Sequence, residues 1–429
     1  MFDIIPAVLR IFLVFGLILT GIRFKLSLGN AFSIGALIMG IIFGMPLSAI
    51  LAAALRALTD PKTLSLSVIV SLILVLSHSL EASGQMERLL KRFRGLIASP
   101  RLNIVIFPAL IGLLPMPGGA IFSAPMVKRI GESARLSGAQ LSFVNYWFRH
   151  LWEYCWPLYP GVLLATAMTH IDLWTFVMAL WPLTAVAAVA GYVPLRRMMP
   201  ASGEGGENGT AGRSQAGPFV RELTPVLIAI FPGIVLGNFL EEVLAGPAAG
   251  VAKELGLIVA LAAAIGWVWH TNRMPAADRR RLVLRKDLLA MVYMVAAILV
   301  FKGVLLDSRA VDAVSAELLR WRIPLLAITM VLPFIVGFVV GLTIAFVGAT
   351  FPILISLIGA YGVGDQTLAY LMLAMAGGFV GVLLSPLHLC LLLSNSYFGT
   401  DLGPVYRLIG KPCIVLIIAA LGYFFFLSA

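Results

Sequence analysis

The sequence predicts an all-α integral membrane protein of two inverted repeats, each with a re-entrant hairpin and a broken helix, with about 10 full spans plus 2 hairpins. Three observations carry this reading. Hydrophobic residues make up 60% of the 429 residues, and Asp, Glu, Lys and Arg only 12%, about half the charge of an ordinary soluble domain. The apolar residues fall in runs of roughly 20, the length that crosses a bilayer core of about 30 Å as a helix. Proline and glycine interrupt some of those runs, and the interruptions recur in both halves of the chain.

A surface this poor in charge cannot be solvated over such a length, which excludes a soluble enzyme, a disordered chain and a DNA-binding protein. The net charge of +11 does not signal nucleic acid, because the basic residues cluster between apolar runs as loop charges do. Cys155, Cys390 and Cys413 all lie in apolar stretches, which gives neither a disulfide framework nor a cysteine-based metal site.

Full spans are expected near 4–23, 29–57 (bent or ending near Pro46), 61–80, 138–169, 172–196, 218–240, 248–270, 287–305, 365–397 and 404–427. The first follows no basic segment and lacks a small-residue cleavage site, so it reads as a permanent helix and not a signal peptide. Residues 200–217 form a Gly- and Ser-rich cytoplasmic linker that separates a first repeat, 1–199, from a second, 218–429. The sequon Asn208-Gly209-Thr210 within it reads as a chance match. Placing 81–101 in the cytoplasm puts most of the 31 Lys and Arg on that side. That bias predicts external N- and C-termini in the cell (inner) membrane.

The alternation holds only if residues 102–129 enter and leave on one side. Arg101, Lys128 and Arg129 flank this stretch, and Pro115-Met116-Pro117-Gly118-Gly119 breaks its centre. About 13 residues on each side make roughly 20 Å of helix, enough to reach mid-membrane and return. Broken backbone at that depth must be buried in protein or line a wet cavity. At an offset of 229 residues, Gly112-Leu113 falls on Gly341-Leu342, Gly119-Ala120 on Gly348-Ala349, Phe122 on Phe351, and Pro157-Leu158 on Pro386-Leu387. A second hairpin is therefore expected at about 331–360. The first half starts outside and the second inside, so the repeats are inverted. Inverted repeats with paired breaks are the signature of secondary transporters. Segments 84–98 and about 308–322 read as amphipathic helices lying along the membrane faces.

Leu114-Pro115-Met116-Pro117-Gly118, after Gly112-Leu113, resembles the Pro-Pro-x-Pro-Gly hairpin of the gluconate permeases. The repeat plan resembles the wider ion transporter superfamily, and the likeness extends to an uncharacterised integral membrane family related to those permeases. Met116 stands where the gluconate permeases carry histidine. The resemblance implies a homodimer, a scaffold domain, and a mobile transport domain that holds both hairpins. It also implies elevator-type alternating access coupled to Na⁺ or H⁺, with no other cofactor.

Helix N-termini at the breaks offer N–H groups to an anion, and C-terminal carbonyls suit a cation. The candidate substrate-binding residues in the first tip are Pro115, Met116, Pro117, Gly118, Gly119, Ala120 and Ser123. In the second tip they are Phe346, Val347, Gly348, Ala349 and Thr350, and the facing breaks at 156–161 and 385–388 add Tyr159 and His388. Arg149 lies about 11 residues, or roughly 16 Å, into its span, where a charge is functional by default. Its planar fork suits a carboxylate or phosphate, and the i,i+4 spacing allows a pair with Glu153 on one helix face. His150 or Glu153 would take a coupling proton. Ser394 and Asn395 resemble the polar clusters that line sodium sites. His78 and Lys302, near span ends, read as interfacial groups.

Gly362-Val363-Gly364-Asp365 matches an intramembrane aspartyl protease motif, but no second mid-membrane Asp completes a dyad. The sequence has no His-Glu-x-x-His, no Gly-x-Ser-x-Gly and no P-loop. The expected function is not enzymatic. It is secondary active transport of a small organic anion, a carboxylate or sugar acid, coupled to H⁺ or Na⁺. The expected partners are the small anionic substrate, membrane lipids and a second copy of the chain, with no nucleic acid. A cation/proton exchanger or a lipid-phosphate flippase is the alternative on the same fold.

Overall fold

The computed structural model describes residues 5–93, 99–116, 118–169, 171–199, 212–245 and 250–428, with backbone alone for 212–215. Pro117, residues 94–98 of the first amphipathic segment, and linker residues 200–211 with their sequon lie outside the described residues. Regular structure among the described residues is entirely helical. Eight helical segments are long and apolar enough to cross a membrane, the make-up of a membrane protein.

The first half runs α1 (Ala7–Arg23), α2 (Leu28–Ile42), α3 (Leu47–Thr59), α4 (Pro61–Ala82), α5 (Gln85–Phe93), α6 (Pro100–Gly112), α7 (Ala120–Ser133), α8 (Gly138–Arg149), α9 (Pro160–Thr169) and α10 (Leu173–Met198). The second half runs α11 (Gly212–Val243), α12 (Ala252–Thr271), α13 (Ala276–Val283), α14 (Lys286–Asp307), α15 (Ala310–Arg320), α16 (Leu325–Val340), α17 (Thr343–Ala360), α18 (Thr367–Leu384), α19 (Leu389–Phe398) and α20 (Leu402–Leu427). The expected span 29–57 is two helices, because Gly44 has a positive φ of 78° and Pro46 follows it. The exposed residues Leu47, Leu51, Leu55 and Leu58 of α3 make one stripe at helical spacing. The charged helix α13 had no counterpart in the sequence reading.

Local chemistry sets several helix starts. Asp60 accepts from the Thr63 amide with Pro61 in the first turn of α4. Ser137 and Gln140 form a capping box on α8. The start of α1 is capped from a distance: the amides of Ala7 and Val8 donate to the Glu317 carboxylate of α15, at 2.7 and 2.9 Å. The N-terminus of α1 and helix α15 therefore share one end of the molecule.

The helices pack in two groups. In one, α14 lies against α2, α3 and α4, and α12 lies against α4 and α11. In the other, α18 is surrounded by α16, α17 and α20, and α8 contacts α6, α7, α19 and α20. The α16–α18 contact is made by glycine. A Cβ on Gly337 would lie 2.3 Å from the Gly378 carbonyl oxygen, and one on Gly381 would lie 2.2 Å from that of Phe334. Small residues let membrane helices approach this closely.

The second group repeats its own spacing. Helices α9 and α19 each have 10 residues and begin at 160 and 389. Helices α10 and α20 each have 26 residues and begin at 173 and 402. Helices α8 and α18 begin at 138 and 367.

Lys253 of α12 joins the groups at one end, 2.8 Å from Asp172, the N-cap of α10, and 3.1 Å from Glu241 of α11. Burial pushes the Asp172 carboxyl up, but hydrogen bonds from Lys253 and from the Thr175 and Trp174 amides outweigh it and hold the carboxyl below its usual range. A depressed folded-state value stabilises the protein above the unfolded-state value near about 3.9, and the contribution is lost as pH falls through the folded value. Asp172→Asn should flatten the acid limb of stability against pH, by less than about 1 kcal/mol for this half-buried, solvent-screened pair. Superimposable acid limbs in melting scans would contradict this.

Gly381→Ala should cost about 1–3 kcal/mol by overpacking. Gly422→Ala in α20, where a Cβ meets nothing within 4 Å, should leave the melting temperature unchanged. Equal melting temperatures for the two variants would refute the close approach.

Candidate functional site

The α6–α7, α8–α9, α16–α17 and α18–α19 interruptions meet at one cavity of about 160 Å³. The first contributes Pro115, Met116 and Gly118, and the second Arg149, His150, Glu153, Tyr159, Pro160 and Gly161. The third contributes Gly341, Leu342, Thr343 and Ile344, and the fourth His388, Leu389 and Cys390. The opposite wall is apolar: Val70, Ile73 and Leu74 from the middle of α4, and Met291 of α14.

Glycine permits the convergence. Gly118 and Gly341 take left-handed backbone, at φ 73° and 72°. A Cβ on Gly112 would lie 2.1 Å from the Arg149 carbonyl oxygen, so the ends of α6 and α8 meet only over glycine.

The helix ends differ in how they are satisfied. Side chains take up the carbonyls: Tyr159 Oη donates to Gly112 O at 2.7 Å, and Arg149 Nη2 to Met116 O at 2.5 Å. Trp152 Nε1 donates to Ala109 O at 2.8 Å and Tyr146 Oη to Leu383 O at 3.1 Å. The N-termini of α7, α17 and α19 carry no side-chain cap. Their first-turn amides bond back to the backbone where they can, Ile121 to Gly118 O, Ala345 to Leu342 O and Leu391 to His388 O, and the positive ends of these helix dipoles lie beside the cavity lining.

Arg149 ends α8 and is 3% exposed. Its guanidinium lies against Gly119, where a Cβ would come within 2.7 Å of Nη2. Nη1 is 3.3 Å from His150 Nε2, and Nε has no hydrogen-bond partner among the described residues. His150 Nδ1 is 2.5 Å from the Tyr146 carbonyl oxygen. A carbonyl only accepts, so Nδ1 carries the proton and Nε2 of the neutral ring has the lone pair. His388 Nε2, 3.0 Å from His150 Nε2, is then the donor of that pair. Glu153 Oε1 accepts from Thr343 Oγ1 at 2.6 Å, and Oε2 is 3.6 Å from His150 Nε2.

A buried polar chain lies behind the cavity. Ser123 Oγ donates to Asn145 Oδ1 at 2.6 Å, and Asn145 Nδ2 donates to Ala120 O and Ser394 Oγ, both at 2.9 Å. Ser142 Oγ donates to Asn395 Oδ1. The chain links α7 and α8 to α19, across the two halves.

The structure brings together Pro115, Met116, Gly118, Arg149, His150, Glu153, Tyr159 and His388, and sets Gly119 against Arg149. Ala120, Ser123, Ser394 and Asn395 belong to the polar chain instead, and Pro117 is outside the described residues. Two expectations are corrected. The second break is at Gly341–Leu342, so Phe346, Val347, Gly348, Ala349 and Thr350 lie inside α17. There Gly348 faces Ile298 and Leu164, and the Thr350 hydroxyl returns to Phe346 O. The cause is turn length: residues 113–119 separate α6 from α7, whereas only 341–342 separate α16 from α17. Arg149 and Glu153 form no ion pair on a helix face, because α8 stops at Arg149 and Glu153 lies in the irregular segment beyond it.

Sequence reasoning missed Thr343, Asn145 and Ser142, and it missed Cys390, whose Sγ lies with His150 and His388 in a group with all donor atoms within 4.8 Å of one another. Hydroxyl and amide residues inside apolar runs were the available signal. Thr343→Val should destabilise the protein by about 1–3 kcal/mol, by leaving Glu153 without its donor, and Thr343→Ser should restore most of it. A Thr343→Val variant that melts with the wild type would show that the hydrogen bond has no weight.

Comparison with curated proteins gives no match. The family described as protein of unknown function (DUF401) matches over residues 7–427. With its helices, breaks and cavity all inside that match, the chain belongs to the DUF401 family.

Proposed function

We propose that this protein is a secondary active transporter of a small organic anion, a carboxylate or sugar acid, coupled to Na⁺ or H⁺. One observation carries the reading: a buried arginine and uncapped helix N-termini converge on a cavity whose nearby carbonyl ends are already bonded to side chains. That arrangement stabilises negative charge. It is not the geometry of a catalytic dyad, and the protein acts without enzymatic chemistry. A space of about 150 Å³ holds a molecule as large as benzene, so a cavity of about 160 Å³ has room for a small acid. A plain cation exchanger leaves Arg149 without a ligand.

The repeated lengths and starts of α8–α10 and α18–α20 support two repeats, inverted in the membrane. Helix pairs α6–α7 and α16–α17 act as the re-entrant hairpins. The group α6–α10 with α16–α20 is the moving body, and the group that includes α4 and α14 is the scaffold. The apolar wall of Val70, Ile73, Leu74 and Met291 leaves the cavity face of the body without polar contacts to the scaffold, which suits an elevator stroke once the Lys253–Asp172 pair at one end releases. The protein works as a homodimer in the cell's inner membrane with both termini outside. The site plan accords with a relation to the gluconate permeases and the ion transporter superfamily. Ser123, Asn145, Ser394 and Asn395 present neutral oxygens to a coupling Na⁺, while Glu153 and the histidine pair offer the route for H⁺.

The test is melting of the purified protein with small carboxylates, sugar acids and phosphate, with and without Na⁺, followed by uptake into proteoliposomes. Ligand at about 100 times Kd stabilises the native state by about 2.7 kcal/mol. One anion class should raise the melting temperature, and Arg149→Gln should abolish that shift and uptake. Stabilisation by cations alone in the wild type would sink the proposal.

A further inference from the structure

We propose that His150, His388 and Cys390 form a binding site for a transition-metal ion of the zinc class, at the edge of the same cavity. All three side chains are buried, and their donor atoms lie within 4.8 Å of one another. His150 Nε2 and His388 Nε2 are 3.0 Å apart. Zinc-class ions bond imidazole nitrogen at about 2.0–2.1 Å and thiolate sulfur at about 2.3 Å, so two nitrogens on one ion sit about 3.0–3.4 Å apart. The imidazole pair already has that separation, and the sulfur, within 4.8 Å of them, must close to roughly 3.5 Å from each nitrogen, a shift of about 1 Å or more. Nitrogen and sulfur donors select zinc, cobalt or copper over Na⁺, Mg²⁺ or Ca²⁺, which take oxygens.

The surroundings suit ligation. The Tyr146 carbonyl holds the proton on His150 Nδ1 and leaves the Nε2 lone pair facing the group. His388 Nδ1 is buried with no hydrogen-bond partner. That nitrogen can carry the ring proton when Nε2 turns to the ion. The Cys390 thiol gives up its proton on binding. His150 Nε2 cannot both accept from Arg149 and bind the ion, so ligation frees the Arg149 Nη1 contact. A divalent ion, the thiolate, Glu153 and Arg149 together leave one positive charge, which an anion on Arg149 offsets. Ion and anion should therefore bind cooperatively; this last step rests on the anion reading, whereas the metal site does not.

The test is Co²⁺ titration of the full-length protein in detergent. The expected result is one equivalent bound, with intense visible bands and a thiolate charge-transfer band. Cys390→Ser should abolish the charge-transfer band, and His388→Asn should weaken binding by about tenfold or more, at least the loss seen for outer-shell partners. Because either variant can misfold, X-ray absorption of the Zn²⁺-loaded wild type is the second measurement. A shell with nitrogen at about 2.0–2.1 Å and one sulfur at about 2.3 Å is expected. A shell without sulfur, or no saturable Co²⁺ binding, overturns the site. Melting with carboxylates in EDTA separates the two readings. Anion shifts without Co²⁺ binding refute the metal site alone, and Co²⁺ binding with these spectra but no anion effect upholds it while removing the anion transporter.

Discussion

A helix that stops inside an apolar protein leaves N–H and C=O groups without partners, and lipid provides none. Each such group costs several kcal/mol. This chain stops helices at four interruptions around one cavity, and the rest of the arrangement follows from how those groups are satisfied. Carbonyls are served by the few long donors available in a chain so poor in charge: Tyr146, Arg149, Trp152 and Tyr159. Each comes from α8 or the segment after it, so that one stretch of chain fixes the ends of α6 and α18 as well as its own position. The amide ends of α7, α17 and α19 have no such partners.

The same constraint explains the two kinds of surface inside the molecule. Where α16 meets α18, glycines bring backbones together and no polar side chain is needed. Where α7 and α8 meet α19, Ser123, Asn145 and Ser394 are bonded in one group and Ser142 with Asn395 in a second, both across the halves. A bonded polar core fixes one register, because any slip leaves buried donors and acceptors unmatched. Where the cavity meets α4 and α14 the wall is purely apolar. The polar network lies within one helix group, whereas the groups meet through apolar contact at the cavity and through the Lys253–Asp172 pair at one end.

Much of this was legible in the sequence, for identifiable reasons. Pro115 with Gly118 and Gly119, and Pro386 after Ser385, mark breaks because proline and glycine weaken a helix, although single prolines such as Pro182 and Pro412 lie inside helices here. The Ser137 and Asp172 caps mark the starts of α8 and α10. The end of α8 at Arg149 was not legible, because residues 150–155 contain neither proline nor glycine. The break follows from contacts with Met116, Tyr146 and His388 made elsewhere in the chain. The break between α16 and α17 was misplaced within the expected 331–360 because a fixed offset assumes equal turns, and the turn before α7 is longer than the one before α17. Cys390 was set aside with Cys155 and Cys413 because all three lie in apolar stretches with no second cysteine at metal-ligand spacing. The two imidazole neighbours of Cys390, His388 two residues before it and His150 far from it in sequence, come together only in the fold.

The departure from symmetry between the halves is itself informative. Helices α8 and α18 start at equivalent positions, yet α8 has 12 residues and α18 has 18. At the positions equivalent to Arg149, His150 and Glu153, the second half has Gly378, Phe379 and Val382, all inside α18 and buried. Gly378 there receives the ring of Phe346. An apolar sequence continues the helix because packing alone satisfies it. Arginine, histidine and glutamate at the same depth need hydrogen bonds, and the irregular segment gives them Met116, Tyr146 and Thr343 as partners. Six residues of helix are thus absent from one half where the charged groups are concentrated. Two halves of similar plan build one site between them, with the first supplying Arg149 and Glu153 and the second supplying His388, Thr343 and the packing that holds them.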